Sequence, residues 1–166
     1  MHPRQLLSRR QAVCALAAAI IPVRGALADD IGVVEFVRAL YARQIKMHTA
    51  DERMSEAAFY ALFASDLRRL MQAPRPGLAR EPIGPILNAF FGWGVLPHQP
   101  VALATVTPGF GGTGGLSLVR VDLVVGGEPR QIMVRPVREN GLWKIADISY
   151  QNGESLLGYY RRITKP

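Results

Sequence analysis

Asp147 stands in the run Gly141-Leu142-Trp143-Lys144-Ile145-Ala146-Asp147-Ile148-Ser149-Tyr150, where apolar and polar residues alternate as in a half-buried strand. Side chains two apart share a face, so Asp147 has the parity of Trp143 and Ile145, whose large apolar groups are expected to point inward. A carboxylate carried into an apolar interior can act as a general base near neutral pH, provided burial raises its pKa and no cation offsets the effect. His98, in the irregular loop 92–98, is the second group such acid–base chemistry would draw on. The competing expectation is a bulge that interrupts the alternation and turns Asp147 toward backbone amides in a cap or turn. Tyr150 has the opposite parity and reads as a packing or rim residue in preference to a proton donor.

Other chemistries find less support. His48 and His98 are fifty residues apart, with no His-x-x-x-His pair and no carboxylate at ligand spacing, whereas a zinc site takes three or four convergent ligands. No metal or cofactor is expected. The run Pro108-Gly109-Phe110-Gly111-Gly112-Thr113-Gly114-Gly115 lacks the Lys-Ser/Thr pair of a phosphate loop. It leads into a strand pattern, not into the helix N-terminus that a dinucleotide site needs, and so reads as a hairpin loop. No nucleophile-elbow motif accompanies a Ser-His-Asp set. The arginines are scattered through the chain instead of alternating with aromatics, so no nucleic-acid partner is expected.

The elements that must position these residues follow a leader. Of 166 residues, 20 are Lys or Arg and 13 are Asp or Glu, a formal net charge of +7. Arg4, Arg9, Arg10 and Arg24 precede the first acid, Asp29, leaving sixteen positive against thirteen negative charges in the remainder, an ordinary solubility charge. A positive start, an apolar run from Ala12 to Val23 and the small residues Ala26 and Ala28 make residues 1–28 a cleavable signal peptide. Ser8-Arg9-Arg10-Gln11-Ala12-Val13 resembles a twin-arginine export motif, with the general secretory route as the alternative; either makes the export machinery a partner and the periplasm the expected address. The apolar run is well short of the roughly 20 residues that span a bilayer, so no stable membrane anchor is expected. Cleavage would remove Cys14, the only cysteine, and with it any disulfide or thiolate chemistry.

Residues 29–166 read as one α+β domain. Asp29 and Asp30 can cap a helix carrying Val33, Phe36, Val37, Leu40, Tyr41 and Ile45. Residues 49–52 have capping-box spacing, and Ser55 is a second candidate cap before a helix that presents Phe59, Leu62, Phe63, Leu67, Leu70 and Met71. Six prolines between 74 and 100 break the pattern, leaving a short helix at 86–91 and an apolar cover rich in aromatics. Strands are predicted at 101–106, 116–125, 130–137 and 142–150, with turns at Gly126-Gly127 and Asn140-Gly141. Val119, Val121, Leu123 and Val125 share one face of the second strand, with Arg120 and Asp122 on the other. Leu156, Leu157, Tyr160 and Ile163 fit a closing helix.

This order resembles the nuclear transport factor 2-like superfamily and, more narrowly, the exported bacterial proteins of the DUF3828 family. The resemblance rests on residues 33–41, on Glu81-Pro82-Ile83-Gly84-Pro85-Ile86 and on residues 143–150 with their Trp-Lys-Ile-x-Asp-Ile pattern. It implies N-terminal helices packed on a curved, mostly antiparallel sheet that forms a cone around a cavity. The superfamily hosts isomerases, dehydratases, hydrolases, dimerisation modules and proteins without chemistry, so fold alone supplies no reaction. The expectation is a non-enzymatic periplasmic protein that binds a small apolar or mixed-character ligand, or a protein partner, through the cone mouth. Phe36, Tyr41, Trp93, Trp143 and Tyr150 are its candidate lining residues, and an open curved sheet invites a homodimer. The rival is an isomerase- or hydratase-like enzyme using Asp147 and His98.

Overall fold

The computed structural model describes residues 24–77, 87–109 and 118–165, with side chains from residue 31 onward. The leader motif, residues 81–86 and the glycine run beyond Gly109 lie outside the described residues. Helix α1 (Arg24–Thr49) is 26 residues long, about 39 Å at 1.5 Å per residue. It runs unbroken through Asp29 and Asp30, so these do not begin the helix as the expected cap requires. Val33, Val34, Val37, Leu40 and Tyr41 recur at helical spacing and are buried as one stripe against the sheet. The helix ends where Asp51 turns left-handed at φ 53° and the Glu52 amide returns to the Met47 carbonyl at 2.8 Å. Thr49 Oγ1 donates to Ile45 O at 2.9 Å, so Thr49 belongs to this tail and not to a capping box.

Ser55 starts helix α2 (Glu56–Tyr60), its Oγ accepting from the Ala58 amide at 3.3 Å. The single helix expected through Phe59 and Met71 is in fact two. Residues 62–64 leave helical geometry to pair with a strand: Ile145 N donates to Leu62 O at 2.9 Å, and Ala64 N to Ile145 O at 2.8 Å. Helix α3 (Ser65–Gln72) then resumes. This break gives an exposed sheet edge its missing partners. The helix expected at 86–91 is also absent. Instead Leu87–Asn88 (β1) and Gly92–Trp93 (β2) pair across a turn in which Asn88 Oδ1 accepts from the amides of Phe90 and Phe91, at 3.0 and 3.1 Å.

The main sheet is an antiparallel meander of β3 (Val101–Gly109), β4 (Leu118–Val125), β5 (Glu128–Glu139) and β6 (Leu142–Tyr150). Gly126-Gly127 and Asn140-Gly141 have positive φ at both positions, the geometry that matches strand twist in a two-residue turn. Burial alternates along β4, with Val119, Val121, Leu123 and Val125 inside. On the outer face Arg120 Nε reaches Asp122 at 2.9 Å and Thr105 Oγ1 donates to Asp122 at 2.7 Å. A register shift falls between Arg135 and Pro136, which pair with Asp147 and Ile145, so Ala146 is an extra residue in β6. Helix α4 (Leu156–Ile163) closes the chain by packing on β6 and α3.

The expected cone is not formed. The sheet is open and uncurled: its order β3-β4-β5-β6 leaves β3 and β6 as edges that do not pair with each other. The physical reason lies on the inner face, where α1 fills the space a cone would enclose. Val37, Tyr41, Val119, Val121, Val134, Ile145 and Ile148 share one cluster there with 0% exposure each. The fold is therefore α+β with N-terminal helices and an antiparallel sheet, and its interior is solid. Among the described residues, no helix is long and apolar enough to cross a membrane.

Candidate functional site

With the inner face of the sheet packed, cavities lie at the edges of the 87–97 segment. That segment is held over the core by long-range polar tethers. Arg130 Nη1 donates to the carbonyls of Phe91 at 3.2 Å and Trp93 at 2.8 Å. Tyr150 Oη donates to Ala89 O at 2.8 Å, and His48 Nε2 donates to Gln99 O at 2.9 Å just beyond. Gly92 sits at φ 89°, and a Cβ there would stand 3.4 Å from the Tyr150 ring. Its freedom lets the segment pass this close.

Two cavities flank this segment, and Phe91 lines both. The smaller, about 260 Å³, lies between β2, the start of β5 and the end of β6, beside Trp93, Arg130 and Tyr150. The larger, about 1030 Å³, lies between the end of α1, α2 and the 87–97 segment. Its apolar wall includes Met47, Met54, Phe59, Leu87 and Val95, and its rim carries Asp51, Glu52, Arg53 and Glu56. Gln44 also lines it, and the Gln44 Nε2 donor is buried with no hydrogen-bond partner among the described residues. One helical turn earlier, the Tyr41 hydroxyl is likewise buried and unpartnered. Burial pushes the ionisation of Tyr41 far above the ordinary phenol range, so the group is a neutral hydroxyl.

The five expected lining residues do not form one surface. Trp93 and Tyr150 meet at the smaller cavity, where burial holds Tyr150 neutral as well. Trp93 packs edge-on against Tyr159 at 5.5 Å, with its Nε1 buried and without a partner among the described residues. Tyr41 is a core residue in edge contact with Phe90, and Phe36 is partly buried against the same core. Trp143 lines neither cavity; the Arg138 guanidinium lies 4.7 Å over its ring.

Asp147 and His98 have separate partners. Asp147 Oδ1 accepts from the amides of Ile148 at 2.8 Å and Leu157 at 2.9 Å, the second being an unpaired donor in the first turn of α4. The neighbouring donor of that turn, Gly158 N, goes to Ser155 Oγ at 3.0 Å. His98 is in a left-handed position at φ 61°, 68% exposed, with Asp51 4.0 Å away. The geometry gives Asp147 a capping task at α4 and His98 a place in the 97–98 turn.

Arg130 and Gln44 were not among the residues expected at a site. Arg130 was legible by parity, since it shares a face with Ile132 and Val134, and a cation on an apolar face needs acceptors. Gln44 carried no such signal, because a glutamine one turn beyond Tyr41 on an amphipathic helix is commonplace. Compared with protein-family models, curated proteins and solved structures, the chain matches none. The resemblance to the DUF3828 family and the nuclear transport factor 2-like superfamily is therefore corrected. No comparison carries it, and the open, filled sheet lacks the cone that gave it structural meaning.

Proposed function

We propose that this chain is an exported binding protein that holds a small ligand of mixed apolar and polar character in the larger cleft. The observation that carries this reading is the buried Gln44 Nε2 donor, without a partner among the described residues, on a cleft whose apolar wall is methionine, phenylalanine, leucine and valine and whose rim is charged. An apolar hollow with a few oriented polar groups is the general form of a small-ligand site, and this one has the size for it. A buried donor without a partner costs about 1–3 kcal/mol, which a ligand carbonyl or hydroxyl would recover on binding. Methionines suit such a wall because their flexible thioethers adapt to ligand shape. The signal-peptide pattern of residues 1–28 supports a periplasmic address for this activity.

Purification from native periplasm under non-denaturing conditions, followed by extraction and mass spectrometry, tests the reading. A stoichiometric small molecule is expected with wild type and is expected to be lost with Gln44→Leu. Recovery of wild type carrying nothing, together with no uptake from added periplasmic extract, refutes it.

A further inference from the structure

We infer that a third cavity, between α3, α4 and residues 135–139 of β5, is a site for a phosphate-bearing ligand that also has an apolar part. The cavity measures about 510 Å³, and Leu67, Leu70, Val137 and Leu157 contribute its apolar surface. Four guanidinium groups stand around it, on Arg69, Arg135, Arg138 and Arg161, against two carboxylates, Asp66 and Glu139. Both carboxylates are engaged. Asp66 pairs with Arg69 at 3.2 Å. Glu139 accepts from Ser65 N at 3.0 Å and from Ser65 Oγ at 2.9 Å, so its charge is directed at the first turn of α3. Asp147, the register partner of Arg135, turns its Oδ1 to the amides of Ile148 and Leu157.

Arg135 and Arg161 are left with no ion pair among the described residues, although they line the same cavity. Two like charges on one wall repel, and a shared phosphate anion relieves that repulsion. The planar guanidinium fork matches phosphate oxygens, with two charge-assisted bonds available from each side chain. Arg161 also borders a neighbouring hollow with Lys165 and with Arg162, the last paired with Glu154 at 3.3 Å, so Arg161 and Lys165 carry the positive charge on this side of the molecule. The larger cleft has the opposite character, its rim bearing Asp51, Glu52 and Glu56 against Arg53. An anion is thus directed to the arginine-lined cavity and away from the cleft proposed above, and the leucine and valine surface favours a phosphate ester over the free ion.

Titration calorimetry of the purified protein with phenyl phosphate and with inorganic phosphate, at low ionic strength, tests the inference alongside flotation on phosphatidylcholine vesicles with and without phosphatidylglycerol. Phenyl phosphate is expected to bind more tightly than inorganic phosphate. The double substitution Arg135→Gln, Arg161→Gln is expected to weaken it about a hundredfold, roughly tenfold for each charged donor lost. A control that removes the same charge elsewhere, Arg43→Gln with Lys46→Gln, is expected to change binding less than about threefold. All four positions are exposed, so an unchanged urea midpoint verifies folding in both double variants. Binding confined to phosphatidylglycerol vesicles, and lost in the Arg135/Arg161 variant alone, would identify a lipid headgroup as the source of the phosphate. Absence of binding to every probe, or equal binding by the Arg135/Arg161 variant and wild type, overturns the inference.

Discussion

Replacing Asp147 by alanine should unfasten α4 without touching the inner face of the sheet. Two backbone amides, those of Ile148 and Leu157, end on Asp147 Oδ1 at 2.8 and 2.9 Å. A hydrogen bond to a charged group contributes about 1.5–3 kcal/mol, and replacing a helix-capping acceptor by alanine costs about 0.5–2 kcal/mol. The Ile148 bond is local, joining adjacent residues, so the Leu157 bond dominates. The expected loss for Asp147→Ala is about 2–3 kcal/mol. Asp147→Asn keeps a side-chain oxygen that can accept the same bonds and gives up the charge near the α4 N-terminus, costing about 1 kcal/mol. For a chain of this size those losses correspond to melting temperatures lower by about 10 °C and about 4 °C. Urea unfolding, followed by the fluorescence of Trp93 and Trp143, measures both, and an unchanged m-value shows that the native state keeps its extent. If alanine lies within about 0.5 kcal/mol of wild type, the capping argument fails. If asparagine is as damaging as alanine, the acceptor oxygen is not what matters and the reasoning is equally refuted.

Tyr41→Phe removes a buried hydroxyl that has no partner among the described residues, and is expected to stabilise by about 1 kcal/mol; a loss of that size in urea unfolding would contradict it. Arg130→Met should release the carbonyls of Phe91 and Trp93, costing about 1–2 kcal/mol and opening the 87–97 segment to proteases while the sheet stays resistant; uniform digestion of the whole chain would show that Arg130 does not act on this segment alone. The Ser65 amide and hydroxyl hold Glu139 below the usual carboxylate range, so its contribution is present above the unfolded-state pKa and is lost as pH falls through the folded one. Glu139→Gln should therefore be less stable than wild type at neutral pH, with the gap closing in acid; a gap independent of pH would refute the linkage. Arg9→Lys with Arg10→Lys should retain the precursor in the cytoplasm, while N-terminal sequencing of exported wild type should begin at Asp29; normal export of the double variant would overturn the twin-arginine route.

What could be read from the sequence was what neighbours decide. The inward face of β4, the two-residue turns at 126–127 and 140–141 and the Ser55 cap each follow from residues a few positions apart. The break between α2 and α3 does not, because residues 62–64 have helical periodicity and leave it only to pair with Ile145, eighty residues on. The 86–91 stretch likewise becomes a hairpin through Asn88 and through tethers from Arg130 and Tyr150. Cone closure is not decided by such patterns, since strand order and periodicity are the same for a curled and an open sheet. The sequence did hold one sharper clue to Asp147. Pro136 sits inside an interior strand, and a residue without an amide donor is tolerated there at a bulge. The bulge at Ala146 is what changes the parity of Asp147 relative to Ile145.

That bulge also bears on where binding can occur. By restoring Ile148 and Tyr150 to the inner face after Ile145, it completes an apolar surface that α1 then covers. Among the described residues the side chains beneath the helix are packed together, and the two cavities that flank the 87–97 segment lie at the periphery. A peripheral site made from an irregular segment is usually weakened by the entropy of ordering it. Here the carbonyls of Ala89, Phe91, Trp93 and Gln99 are already fixed by Tyr150, Arg130 and His48, side chains anchored on β6, β5 and α1. The segment is thereby preorganised by polar bonds that leave its apolar side chains available to the cleft. Because Phe91 stands between the two flanking cavities, loss of the Arg130 tether should disturb both together, which makes Arg130 a positioning residue for this end of the molecule.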